Sequence, residues 1–130
     1  MIKEFILSIL LFAFCIEAVQ SQDIILKAED NYPPPPLIRA DSLFKQRAYS
    51  PANDELDLVL QKAEKQNDKR LLVAALEMKA RAYRRLDDVD YTMAFPFIER
   101  AVALARDNLS ADDLLLSRVY ITLGRFYYRT

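Results

Sequence analysis

The chain has 130 residues, 52% of them apolar, which is enough for one modest domain with a packed core and excludes wholesale disorder. Its 18 basic and 19 acidic residues nearly cancel, so no global field draws it to nucleic acid or to an acidic membrane. One glycine and no histidine leave no phosphate-cradling loop, no imidazole proton shuttle and no usual zinc ligand set.

Met1 to Ser21 reads as a secretory signal. Lys3 gives a short positive start, weakened by Glu4, and Phe5 to Ile16 (FILSILLFAFCI) is a continuous apolar run. A run of that length suits a signal and falls short of the ~20 residues of a spanning helix. Small residues follow, with cleavage after Ser21 or, alternatively, after Ala18. An uncleaved membrane anchor is the other alternative, and bulky Phe14 argues against lipid modification of Cys15. The expected location is periplasmic or extracellular. Loss of residues 1–21 removes one basic and two acidic residues, leaving 17 of each, and takes away the only cysteine. The mature protein then has no thiol for a disulfide or for thiolate chemistry.

Residues 22–36 form a polar lead-in that ends in Tyr32-Pro33-Pro34-Pro35-Pro36. Consecutive prolines adopt extended polyproline II geometry, as a docking motif or as a stiff spacer, and the spacer is the reading adopted. Helical segments follow: Leu37 to about Gln46, then a segment to about Lys65 with Ser50 as cap and Pro51 first. Leu71 to Leu86 is the third and about Thr92 to Arg106 the fourth. With Thr92 as cap, Pro96 is the fourth helical residue, where its missing N–H has no intrahelical partner to lose. Ser110-Ala111-Asp112-Asp113 reads as a capping box that opens the last helix.

These helices repeat. Tyr49-x-x-Ala52-x-x-x-Leu56-x-x-Val59-Leu60-x-x-Ala63 recurs 42 residues later as Tyr91-x-x-Ala94-x-x-x-Ile98-x-x-Ala101-Val102-x-x-Ala105. Ala80-Arg81-Ala82-Tyr83 recurs 44 residues later as Gly124-Arg125-Phe126-Tyr127. Helix pairs at such periods point to a solenoid. At these residues the chain resembles the tetratricopeptide repeat family. Tyr120-x-x-Leu123-Gly124-x-x-Tyr127 and Leu76-x-x-Lys79-Ala80-x-x-Tyr83 match the first helix of its unit; Ala94-x-x-x-Ile98-x-x-Ala101 and Ala52-x-x-x-Leu56-x-x-Val59 match the second. Longer turns, Lys79 and a missing closing proline depart from the pattern and resemble the family's long variants. The fold expected is all-α, an antiparallel helix-pair solenoid of about two and a half units over residues 37–130. Ala80, Gly124, Ala94 and Ala101 are the expected sites of close helix approach.

Nothing after the last helix covers Phe126, Tyr127 and Tyr128, so the sequence is expected to be the N-terminal part of a longer protein, its last unit incomplete. Self-association through that uncapped helix is a further expectation. Candidates for chemistry are sparse. Asp87, Asp88 and Asp90 lack calcium-loop spacing, Ser42, Ser110 and Ser117 have no base, and Glu77 and Glu99 have no partner carboxylate. No catalytic residue, metal or cofactor is expected, and no enzyme. What the resemblance implies is binding of a protein or peptide on the concave face of the first helices, or else the sensor region of a truncated signalling protein or enzyme. With Leu76 and Tyr120 taken to face the core, Arg81, Arg84, Arg118 and Arg125 fall on one side, with Tyr128 beside them. Paired guanidinium donors suit an acidic peptide or the free C-terminus of a protein.

Overall fold

A computed structural model describes residues 32–86 and 90–128, with Tyr91 described by its backbone alone. The signal segment, most of the lead-in, Asp87, Asp88 and Arg129 lie outside the described residues. Those described are helical throughout, without a strand: a 3-10 turn (Pro35–Leu37), α1 (Ile38–Lys45), α2 (Tyr49–Lys65), α3 (Lys69–Tyr83), a second 3-10 turn (Tyr91–Ala94), α4 (Phe95–Asn108) and α5 (Leu114–Tyr127). Among them no helix is long and apolar enough to cross a membrane.

The helix starts differ from the sequence reading, each for a local reason. Pro34 has polyproline II angles (φ −59°, ψ 149°), but Pro35 and Pro36 already belong to the first 3-10 turn, where fixed φ suits an opening turn. α2 begins at Tyr49, before Ser50, and Ala48 provides no side-chain cap. Its first backbone bond runs from Ala52 N–H to Ala48 C=O, so Pro51 lacks a donor where none is used. Asp68 caps α3 by accepting from Leu71 N–H at 3.1 Å. Asp90, rather than Thr92, starts the second 3-10 turn, accepting from Thr92 N–H at 3.0 Å. Those Thr92 hydrogen bonds hold the exposed Asp90 carboxyl below its usual range. Pro96 is then the second residue of α4 and again costs no hydrogen bond. In the expected capping box, Asp113 is the cap, taking Leu115 N–H at 2.9 Å, while Ser110 contributes only a carbonyl to the turn.

α1 and α2 end alike. Ala48 N–H reaches Leu43 C=O and Arg47 N–H reaches Phe44 C=O; Asp68 and Asn67 repeat the arrangement with Ala63 and Glu64. This paired closure needs a left-handed residue, and Arg47 (φ 60°) and Asn67 (φ 52°) supply it. Asparagine tolerates that conformation; arginine adopts it against the repulsion of its own Cβ.

Each helix packs on the next in sequence, and α3 touches α5 as well. α3 is the hub: Leu71 through Ala80 are all buried. A one-sided amphipathic helix would not be, so α3 is covered on several sides. The helices around it contribute narrow stripes. α2 buries Ala52, Leu56, Val59 and Ala63, and α4 buries Ile98, Ala101 and Ala105 behind Ala94. Ala80, Ala94 and Ala101 are fully buried, as close helix approach requires, but Gly124 is not such a site: a Cβ there would meet nothing within 4 Å. Phe126 also differs from expectation. It is fully buried, edge-on to Phe95 at 5.3 Å, whereas Tyr127 and Tyr128 are exposed.

Candidate functional site

Three polar residues of α3 are drawn into the packing, and their partners lie on the four other helices. Glu77 is 1% exposed. It accepts a hydrogen bond from the Thr122 hydroxyl of α5 at 2.7 Å, and Arg81, one turn along α3, pairs with it at 2.8 Å. The Arg81 guanidinium also lies 5.0 Å from the centre of the Phe44 ring on α1. One series of contacts thus runs from α1 through α3 to α5. A buried carboxylate is tolerated only when its lone pairs are engaged, and here a guanidinium and a hydroxyl do this.

Lys79, on the adjoining side of α3, is also buried. Its ammonium pairs with Asp57 of α2 and lies 5.0 Å from the Phe97 ring of α4 and 5.6 Å from Tyr83. The two rings meet at 5.1 Å. Aromatic faces attract a desolvated cation, which makes a lysine acceptable at this buried position of α3.

Surface ties fix how α3 and α5 lie. Arg70, in the first turn of α3, donates to Asp113 at the start of α5 at 3.2 Å. Arg84, which ends α3, lies 5.5 Å from the ring of Phe126 near the end of α5. Start meets start and end meets end, so the two helices run in the same direction. Arg100 of α4 pairs with Glu64 of α2 at 2.8 Å, linking the other two alternate helices.

The five predicted binding residues are therefore not equivalent. Arg81 is committed to Glu77 and Phe44, and Arg84 leans on Phe126; both are half-buried. Arg118 is half-buried as well, and Arg125 and Tyr128 are exposed. The angle assignment takes Tyr120 to face the core, but Tyr120 is 44% exposed. The residues of α5 that face inward are Leu115, Val119, Thr122 and Phe126. What the sequence reading missed is the Glu77–Thr122 pair. Its signal was present: a glutamate inside the apolar run Leu71–Met78, with a hydroxyl 45 residues later, close to the 44-residue offset in the sequence.

α5 carries a second stripe. Leu116, Tyr120, Leu123 and Tyr127 have the same 4-3-4 spacing as the buried stripe and are rotated from it by about 100°. Leu116 and Leu123 are half-buried and Tyr127 is 58% exposed. Arg118 and Arg125 fall on the opposite flank of the buried stripe, with Ile121 and Tyr128 beyond them. Among the described residues, no three His, Cys, Asp or Glu side chains lie close enough together to hold a metal ion. Compared with protein-family models, curated proteins and solved structures, the sequence matches none.

Proposed function

We propose that the protein is an exported interaction module built of tetratricopeptide-like helix pairs, with α1–α2 and α3–α4 as pairs and α5 as the first helix of a third. The observation that carries the reading is the spacing of the cross-ties. Arg70–Asp113 and Glu77–Thr122 join residues 43 and 45 apart, either side of the 44-residue offset at which α3 recurs in α5. Neighbouring units stacked in parallel bring together residues about one period apart.

The ligand is an acidic peptide or the free C-terminus of a protein, held on the side of α5 that carries Arg118 and Arg125. Arg125 and Tyr128 are its principal contacts, a planar paired donor beside a flat apolar ring. Arg84 and Arg118 border the same side, whereas Arg81 supports the surface from within by holding Glu77. Each exposed ion pair contributes ~0–1 kcal/mol, so affinity comes from several acting together.

The test uses fluorescein-labelled glutamate-rich octapeptides with free C-termini, read by anisotropy against the purified mature protein. Binding should weaken as salt rises, and Arg125→Glu should remove most of it while the circular dichroism spectrum stays unchanged. Equal binding by wild type and Arg125→Glu would overturn the basic-face reading. Export is tested separately by N-terminal sequencing of secreted product: a start between Val19 and Gln22 is expected, and a membrane-bound product that begins at Met1 would refute cleavage.

A further inference from the structure

The Glu77–Arg81 pair lies between α1 and α5, the first and last of the helices described. α1 packs mainly on α2, whereas α5 packs on α4 and α3. Arg81 holds the Glu77 carboxylate through two contacts, Nε to Oε1 at 2.8 Å and Nη2 to Oε2 at 3.2 Å. Oε1 also accepts the Thr122 hydroxyl of α5 at 2.7 Å. The Arg81 guanidinium lies 5.0 Å from the centre of the Phe44 ring of α1. That ring in turn meets Tyr49, the first residue of α2, edge-on at 5.2 Å.

Each link depends on the one before it. With α5 seated, Glu77 is 1% exposed, and its charge is balanced by a guanidinium in surroundings that screen little. If α5 lifts, Oε1 loses the hydroxyl and water reaches the carboxylate. A hydrated carboxylate holds a guanidinium far less firmly than a buried one. Arg81 is only half-buried, so it then turns outward, and the Phe44 ring loses the cation at its face. The apolar packing of α5 has no such directional path. Val119, three residues before Thr122, is fully buried as well, but its contacts are non-directional and involve no charge.

We propose that the chain of contacts Thr122–Glu77–Arg81–Phe44 is a relay that couples the seating of α1 to the seating of α5. A partner that holds or displaces α5 then changes α1 without touching it. The coupling is a property of the fold and holds whatever α5 binds, so it stands apart from the acidic-ligand reading.

The test is a pair of double-mutant cycles on the purified protein, read as unfolding equilibrium constants in urea. Thr122→Val is combined with Phe44→Leu in one cycle, and Val119→Ala with Phe44→Leu in the other. Phe44→Leu keeps an apolar side chain and removes the ring face. In the first cycle the double variant should unfold about threefold less, or better, than the product of the single effects requires, because the second change acts on a relay already broken. In the second cycle the effects should multiply to within about a factor of two. Independent effects in the first cycle, or the same excess in both, would overturn the proposal. Amide exchange of the single variants gives a second measurement that needs no double variant. Relative to the acceleration each causes in α3, Thr122→Val should speed exchange in α1 about threefold more than Val119→Ala does. Equal relative acceleration by the two variants would also overturn it.

Discussion

Replacing Thr122 by valine keeps the β-branched shape and removes a single O–H. In the folded protein that O–H points at Glu77 Oε1 from 2.7 Å, and both residues are buried, at 2% and 1% exposure. Water cannot take over the lone pair. The carboxylate keeps Arg81 at 2.8 Å, so its charge remains balanced and the full penalty of an unpaired buried ion does not apply. A hydrogen bond to a charged group contributes ~1.5–3 kcal/mol, which puts the expected loss at about 2 kcal/mol. For a domain of this size that is a fall in melting temperature of roughly 10 °C. Urea denaturation followed by circular dichroism measures the loss, and Glu77→Leu provides the second corner of a cycle. In the Glu77→Leu background the introduced valine faces an apolar neighbour, and Thr122→Val should be neutral or slightly stabilising. A cost below about 0.5 kcal/mol in the wild-type background, or the same cost in both backgrounds, would refute the role given to this pair.

Lys79 and Asp57 should respond unequally: Lys79→Met should be neutral or stabilising, because a flexible apolar side chain fills the site and Asp57, half in water, loses little. Asp57→Asn should cost about 1–3 kcal/mol by removing the countercharge of a buried ammonium, and the reverse order in thermal melts would show that the ion pair does not set the cost. Arg47→Gly should stabilise by about 1 kcal/mol, since glycine adopts φ 60° without a Cβ to repel the backbone; an unchanged urea midpoint would remove the argument. Amide exchange should be slower in α3, buried from Leu71 to Ala80, than in α5, which buries one stripe. Equal protection in a monomer would contradict that ranking.

Helical class and the break between α2 and α3 were legible in the sequence, because those are local properties. Apolar periodicity, proline and the Asn67–Asp68 turn act within a few residues of themselves. Helix starts were less legible: Ser50, Thr92 and Ser110 are good caps by type, yet neighbouring geometry placed Ala48, Asp90 and Asp113 at the boundaries. The 42- and 44-residue offsets were visible too, and with them the likeness in sequence between α3 and α5. Only the tertiary structure decided which equivalent residues are used alike. Arg81 and Arg125 lie 44 residues apart, at the offset seen in the sequence, but Arg81 has Glu77 beside it and Phe44 across from it, while the residue 44 places after Glu77 is Ile121, 57% exposed. Glu77, Lys79 and Arg81 look like surface charges in one dimension. Glu77 and Lys79 lie inside and Arg81 half inside because helices from both sides close over α3, and a charge is buried where its partners, 22 and 45 residues away for Lys79 and Glu77, arrive with the fold.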